Sequence, residues 1–129
     1  MYCIDTDIIV EFLRGNEKIS KKIKENSNKP IFLTTLSLCE LYKGAFLSSK
    51  KEGEIEKIQS LLNYLELITI NQKTAKIFGE KNKLLIDMGK STQQFDLLNA
   101  CISISYDLIF VTRNKKHFIN IPDLEIEEW

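Results

Sequence analysis

The chain has 129 residues, enough for one domain and too few for two ordinary ones, so residues 1–129 are expected to form a single domain. Hydrophobic residues make up 43% and charged residues 28%, a globular profile rather than a disordered one. Eighteen basic residues balance eighteen acidic ones, which excludes a strongly basic nucleic-acid coat or a polybasic membrane binder but leaves room for one local basic patch.

No apolar run reaches the roughly 18 residues of a membrane helix, and Met1-Tyr2-Cys3-Ile4-Asp5 lacks the basic start of a signal peptide. Cys3, Cys39 and Cys101 are odd in number, far apart and set among apolar neighbours. They are expected to be buried free thiols in a reducing compartment, the cytoplasm.

Short apolar runs alternate with helical patterns along the chain. Tyr2-Cys3-Ile4 is expected to be a buried strand, followed by a helix from Thr6 to Arg14 ended by Gly15 and an exposed helix from Glu17 to Glu25. Ile31 to Thr34 is a strand. Leu38, Leu41, Tyr42 and Ala45 stripe a helix from about Ser37 to Ser49, and Ile55, Ile58, Leu62 and Leu65 stripe another. Leu67 to Ile70 is a strand, then a helix runs from about Gln72 to Met88 and stops at Gly89. Phe95 to Tyr106 is apolar nearly all round, which marks a buried helix. Leu108 to Thr112 is a continuous apolar run, as in a parallel sheet covered on both faces, and Leu124 to Glu127 alternates like an edge strand. Together these elements predict an α/β domain around a mostly parallel sheet.

In such sheets ligands bind beyond the carboxyl ends of the strands. Asp5 follows the first strand and Thr112-Arg113-Asn114 follows the last apolar one, so two distant segments deliver polar groups to one edge. A plain N-cap explains Asp5 equally well. Glu40 lies between the main apolar stripe and a second side marked by Leu36, Gly44 and Leu47, where an unpaired carboxylate is expensive. Ser37 to Glu40 also matches an S-x-x-E capping box. Asp96, Asn99 and Ser103 form one narrow polar stripe on the buried helix, which the solvent-facing edge of that helix would equally explain.

If Asp5, Glu40 and Asp96 converge to about 5 Å, each pair repels by roughly 3 kcal/mol at an effective dielectric of 20. Three pairs would oppose folding by about 10 kcal/mol, as much as a whole domain's stability. Such a cluster persists only with protonation or a bound cation, and all-oxygen ligands favour Mg²⁺ or Mn²⁺ over zinc. His117 is the only histidine, so no His-based site can be assembled, and with Phe118 it is expected to pack the loop before Ile121-Pro122. Neither a GxxxxGK[ST] nor a GxGxxG phosphate loop is present. Arg14, Lys43, Lys90, Arg113, Lys115 and Lys116 are candidates for a phosphate-contact rim, with Arg113, Lys43 and Lys115 the chief ones.

Four segments carry a resemblance: Asp5-Thr6 after the first strand, Leu36-Ser37-x-x-Glu40-Leu41-Tyr42-x-Gly44, Phe95-Asp96-Leu97-Leu98, and Val111-Thr112-Arg113-Asn114-x-x-His117-Phe118. In this order and spacing, over nearly the whole chain, the sequence resembles PIN-domain proteins, in particular the VapC toxins of prokaryotic toxin–antitoxin pairs. The resemblance implies a three-layer α/β/α fold and a Mg²⁺- or Mn²⁺-dependent ribonuclease acting on tRNA, rRNA or mRNA. It further implies a homodimer silenced by a VapB-type antitoxin that covers the active site. Asp5, Glu40 and Asp96 match the family's acidic residues. Asn114 stands where a fourth acid often stands, and Thr6 and Thr112 match hydroxyls that orient the acids. Asp5 and Asp96 would hold the ion, Glu40 and Asn114 would complete its shell, and Glu40 would accept the proton of the attacking water. The alternative is an inactive, RNA-binding relative. A signalling receiver domain fits poorly, because no Asp follows a middle strand and Glu40 and Asp96 would be left without a role.

Overall fold

In a computed structural model describing residues 1–129, the elements are β1 (Tyr2–Ile4), α1 (Thr6–Leu13), α2 (Glu17–Glu25), β2 (Ile31–Thr34), α3 (Thr35–Leu47) and α4 (Lys51–Leu61). They continue with β3 (Glu66–Ile68), α5 (Gln72–Asp87), α6 (Gln94–Ser105), β4 (Ile109–Val111), α7 (Lys115–Phe118) and β5 (Ile126–Glu127). All four strand pairings are parallel, in the order β3-β2-β1-β4-β5, with Tyr2 level with both Ile31 and Ile109.

The pleat sends alternate side chains to opposite faces, and the strands split their residues accordingly. Ile4, Ile31, Leu33 and Val111 join a core with Ile8, Ile9, Leu41 and Ile58 from α1, α3 and α4. Cys3, Phe110 and Ile68 face the other way, onto Leu85, Leu97 and Ile102 from α5 and α6. The result is the expected three-layer α/β/α domain. Trp129 closes the first core, its ring edge-on to Tyr2 at 5.2 Å. On the other face Lys81 of α5 is 3% exposed, its ammonium bonded to Glu80 and to Asp123 in the loop before β5. No helix is long and apolar enough to cross a membrane.

The structure moves several boundaries. The third strand covers Glu66–Ile68 rather than Leu67 to Ile70, because Thr69 and Ile70 turn toward the Asn71–Thr74 capping box of α5. β4 stops at Val111, so Thr112 stands just past the ladder. The short helix α7 was not anticipated; four residues are too few to show a period. Cys3 and Cys101 are buried as expected, and burial pushes the Cys3 thiol up to about 12, but Cys39 is exposed, on the outer side of α3. His117 is likewise exposed, and only Phe118 packs into the core.

Strand order decides where a site can form. The chain steps from β1 outward to β3, then returns to lay β4 on the opposite side of β1. The β1/β4 boundary is therefore the topological switch point, where connections leave to opposite faces and open a crevice beyond the strand ends. Asp5 and Thr112 are the first residues past those two strands.

Candidate active site

Asp5 is only 8% exposed, and both carboxylate oxygens are engaged. Oδ1 accepts from the Thr6 amide at 2.8 Å and Oδ2 from the Thr112 hydroxyl at 2.9 Å. The N-cap explanation is thus correct as far as it goes, since Asp5 precedes α1 in extended backbone and bonds its first amide. It does not account for Thr112, which reaches across 107 residues. Burial and, next, the charge of Asp7 push the Asp5 carboxyl up to about 7, while the bonds from Thr112 and Thr6 hold it down.

The Thr6 hydroxyl donates to Glu40 Oε1 at 3.2 Å, joining α1 to α3. Two expectations about Glu40 are corrected here. It is exposed rather than enclosed between apolar faces, because the side marked by Gly44 and Leu47 is open to solvent. It belongs to no capping box either: Thr34 caps α3 by accepting from the Ser37 amide at 3.0 Å, which leaves Glu40 nearly two turns beyond the cap. Partial desolvation, and to a smaller degree Asp96, raise the Glu40 carboxyl above its ordinary value, against the Thr6 bond and Lys43.

Asp96 sits half-buried in the first turn of α6, its carboxyl raised by burial and lowered by nearby His117. The stripe it begins does not face solvent. Asn99 and Ser103 are fully buried, with Asn99 Oδ1 accepting from the Thr34 hydroxyl at 2.5 Å. This bond ties the cap of α3 to α6, the two helices that carry Glu40 and Asp96. Asn99 Nδ2 has no partner, so the polar layer under the acids is incompletely satisfied. Asn99→Leu is expected to lower stability in urea unfolding by only about 1 kcal/mol, because losing the Thr34 bond is offset by removing the orphaned amide.

The structure brings Asp5, Thr6, Glu40, Asp96, Arg113 and Asn114 to one polar cleft of about 560 Å³. Lys43 and Lys115 are exposed on α3 and α7 and do not line it. Asp7, which the sequence pattern did not single out, does. Its Oδ2 accepts from the Arg113 amide at 3.0 Å and from Asn114 Nδ2 at 3.1 Å, and Oδ1 has no hydrogen-bond partner. The available signal was an Asp two residues after Asp5 in the helix's first turn, where a dipole explanation hides any other role. Arg113 is held at 3.0 Å by Glu11.

No three Asp, Glu, His or Cys side chains are drawn together at ligand distance. The donor set nevertheless fits a hard divalent cation in kind, because the carboxylates lining the cleft and the Asn114 amide offer it only oxygen. The Asp5 carboxyl is raised first by burial and next by the charge of Asp7, both of which a cation beside it would offset.

A parallel α/β sheet with an acid-lined crevice at its switch point defines the class: an α/β domain whose polar site lies beyond the carboxyl ends of its strands. The chain belongs to the PIN domain family, which it matches over residues 2–124. It is similar to "Ribonuclease VapC2" of Rickettsia felis, with 31% identity over 100% of this chain and 98% of the relative. It is similar also to "Ribonuclease VapC1" of Haemophilus influenzae, with 28% identity over 100% and 98%. The solved structure of VapBC2 from Rickettsia felis bound to a promoter DNA fragment superposes with a TM-score of 0.95 at 29% identity, covering 99% of this chain and 98% of that one.

Proposed function

We propose that the chain is a metal-dependent endoribonuclease, the toxin of a VapBC-type pair, which hydrolyses RNA phosphodiesters. The observation that carries this is Asp5, a carboxylate at the switch point of a PIN domain, raised to about 7 by burial and next by the charge of Asp7. Asp5 and Asp96 would hold Mg²⁺ or Mn²⁺, with Glu40 and Asn114 completing the shell. Such an ion, when bound, neutralises the scissile phosphate and lowers the pKa of the attacking water. Glu40 accepts the proton of that water, a task its raised carboxyl suits better than an ordinary one. Thr6 orients Glu40 and Thr112 orients Asp5, so both acids meet the substrate in fixed rotamers. Arg113, with Lys43 and Lys115 farther out, contacts flanking phosphates.

A VapB-type antitoxin is the partner this reading requires. Beside the acid cleft, and sharing Thr6, Val10, Arg14 and Glu40 with it, runs a groove of about 380 Å³ floored by Leu13, Leu41, Ala45 and Ile58. A peptide laid in that groove would reach the acids directly. Leu67 and Ile70, exposed at the β3 edge, offer apolar surface for a second copy of the chain in a homodimer. The cytoplasm, where RNA is at hand, is the place of action.

The test is cleavage of a total tRNA and rRNA pool and of mRNA by the purified chain, with Mg²⁺, with Mn²⁺ and with EDTA, beside Asp96→Asn. Cutting that requires the ion and is lost in the folded variant is the expected result. Equal cutting by both proteins would remove Asp96 from the site, and inertness of both on all three RNA classes would favour an RNA-binding relative without activity.

A further inference from the structure

Asn114 stands at the end of the turn from β4 into α7, and its side-chain amide reaches α1. Asn114 Nδ2 lies 3.1 Å from Asp7 Oδ2. A carboxylate at 114 would meet the Asp7 carboxylate at that distance, with Asp5 beside both. The same Asp7 oxygen accepts from the Arg113 amide at 3.0 Å and faces the Thr112 hydroxyl at 3.4 Å, so one side chain of α1 gathers every residue of the turn from β4 into α7. The Thr112 hydroxyl in turn accepts from the Asn114 amide at 3.0 Å, which locks that turn in place.

We propose that Asp7 and Asn114 are a matched acid–amide pair, in which Asp7 on α1 carries the negative charge and Asn114 serves as its hydrogen-bond donor. Asp7 is then a positioning residue with two effects: it fixes the β4–α7 turn, and it adds charge that draws a divalent cation to Asp5, Glu40 and Asp96. This assignment rests on the reading of the cleft as a cation site. The bond is directional: the Asp7 oxygen that accepts from Asn114 also accepts from the Arg113 amide, so an acid at 114 would face the Asp7 carboxylate with no donor between them.

Mn²⁺ binding to the RNA-free chain, followed by calorimetry and by melting temperature with and without Mn²⁺, tests the pair in wild type, Asp7→Asn, Asn114→Asp and the double exchange. Asp7→Asn is expected to bind Mn²⁺ about tenfold more weakly, having lost a nearby charge, and to melt higher in EDTA. Asn114→Asp is expected to melt lower in EDTA and to recover when Mn²⁺ is added. Asp7→Asn should raise the melting temperature in EDTA more in the Asn114→Asp background than in wild type, a coupling that independent sites would not show. Should Asp7→Asn not fold, Asp7→Ser replaces it, since its hydroxyl still accepts from the Arg113 amide. Undiminished Mn²⁺ binding by the neutral variant at position 7, or an Asp7→Asn effect on melting that is the same in both backgrounds, overturns the pairing while leaving the cation site intact. Failure of the wild-type chain to bind Mn²⁺ overturns the cation site itself, and the pairing with it.

Discussion

Asp5→Asn is expected to unfold at a higher urea concentration than the wild-type chain at pH 8 in EDTA, and to cleave no RNA. The carboxyl titrates near 3.8 without its folded surroundings and at about 7 within them. The folded state therefore holds this proton more tightly than the unfolded state. Between these values the folded chain binds more protons, so stability falls as pH rises from about 4 to about 7, then levels off. At 1.36 kcal/mol per unit, the ionised carboxylate costs up to about 4 kcal/mol above pH 7. The amide keeps the shape and still accepts from the Thr6 amide, so most of that cost should be relieved. The advantage of the variant should thus be near zero at pH 4 and at least about 2 kcal/mol at pH 8, and saturating Mg²⁺ should narrow it by compensating the wild-type charge. A variant less stable than wild type at pH 8 would mean that the charge at Asp5 is already compensated within the fold. Loss of activity with gain of stability is the behaviour of a residue whose strain serves function.

Thr112→Val should do the opposite. The side chain is fully buried, and its hydroxyl both donates to Asp5 and accepts from the Asn114 amide. Valine keeps the volume and removes both bonds, one of them to a charged group, at an expected cost of about 2–3 kcal/mol at pH 8. At pH 5 the cost should be smaller, because a protonated Asp5 no longer needs a donor. Without that donor the Asp5 carboxyl rises further, so the acidic limb of the cleavage pH profile should move up by about one unit. Thr112→Ser, which retains the hydroxyl, should restore the profile. An unshifted limb in Thr112→Val would dissociate this hydrogen bond from the ionisation that activity requires.

Local pattern settled much of this molecule. Short apolar runs such as Tyr2-Cys3-Ile4 bury on both faces only in a sheet covered by helices, and the helical stripes between them supply the covers. Asp5 and Asp96 were legible because each stands at an element end, where a charge invites a question. Glu40 was found for a partly mistaken reason: the side of α3 that seemed to enclose it is solvent-exposed, and Thr6, on another helix, is its partner.

What only the tertiary structure decided is everything that depends on strand order. Helical and strand periods report which face of an element is apolar, not which neighbour that face meets. Asn99 looked like a solvent edge because a polar stripe on a buried helix has the same spacing whether it faces water or Thr34. Asp7 was unremarkable beside Asp5 until β4 was laid against β1, which brought Thr112, Arg113 and Asn114 within hydrogen-bond reach of it. The sequence by itself determined the α/β layering, the acidic residues and the family they resemble. The crossover that seats β4 beside β1 decided which residues share the cleft, because convergence across a hundred residues is a property of the packed sheet and leaves no mark on local spacing.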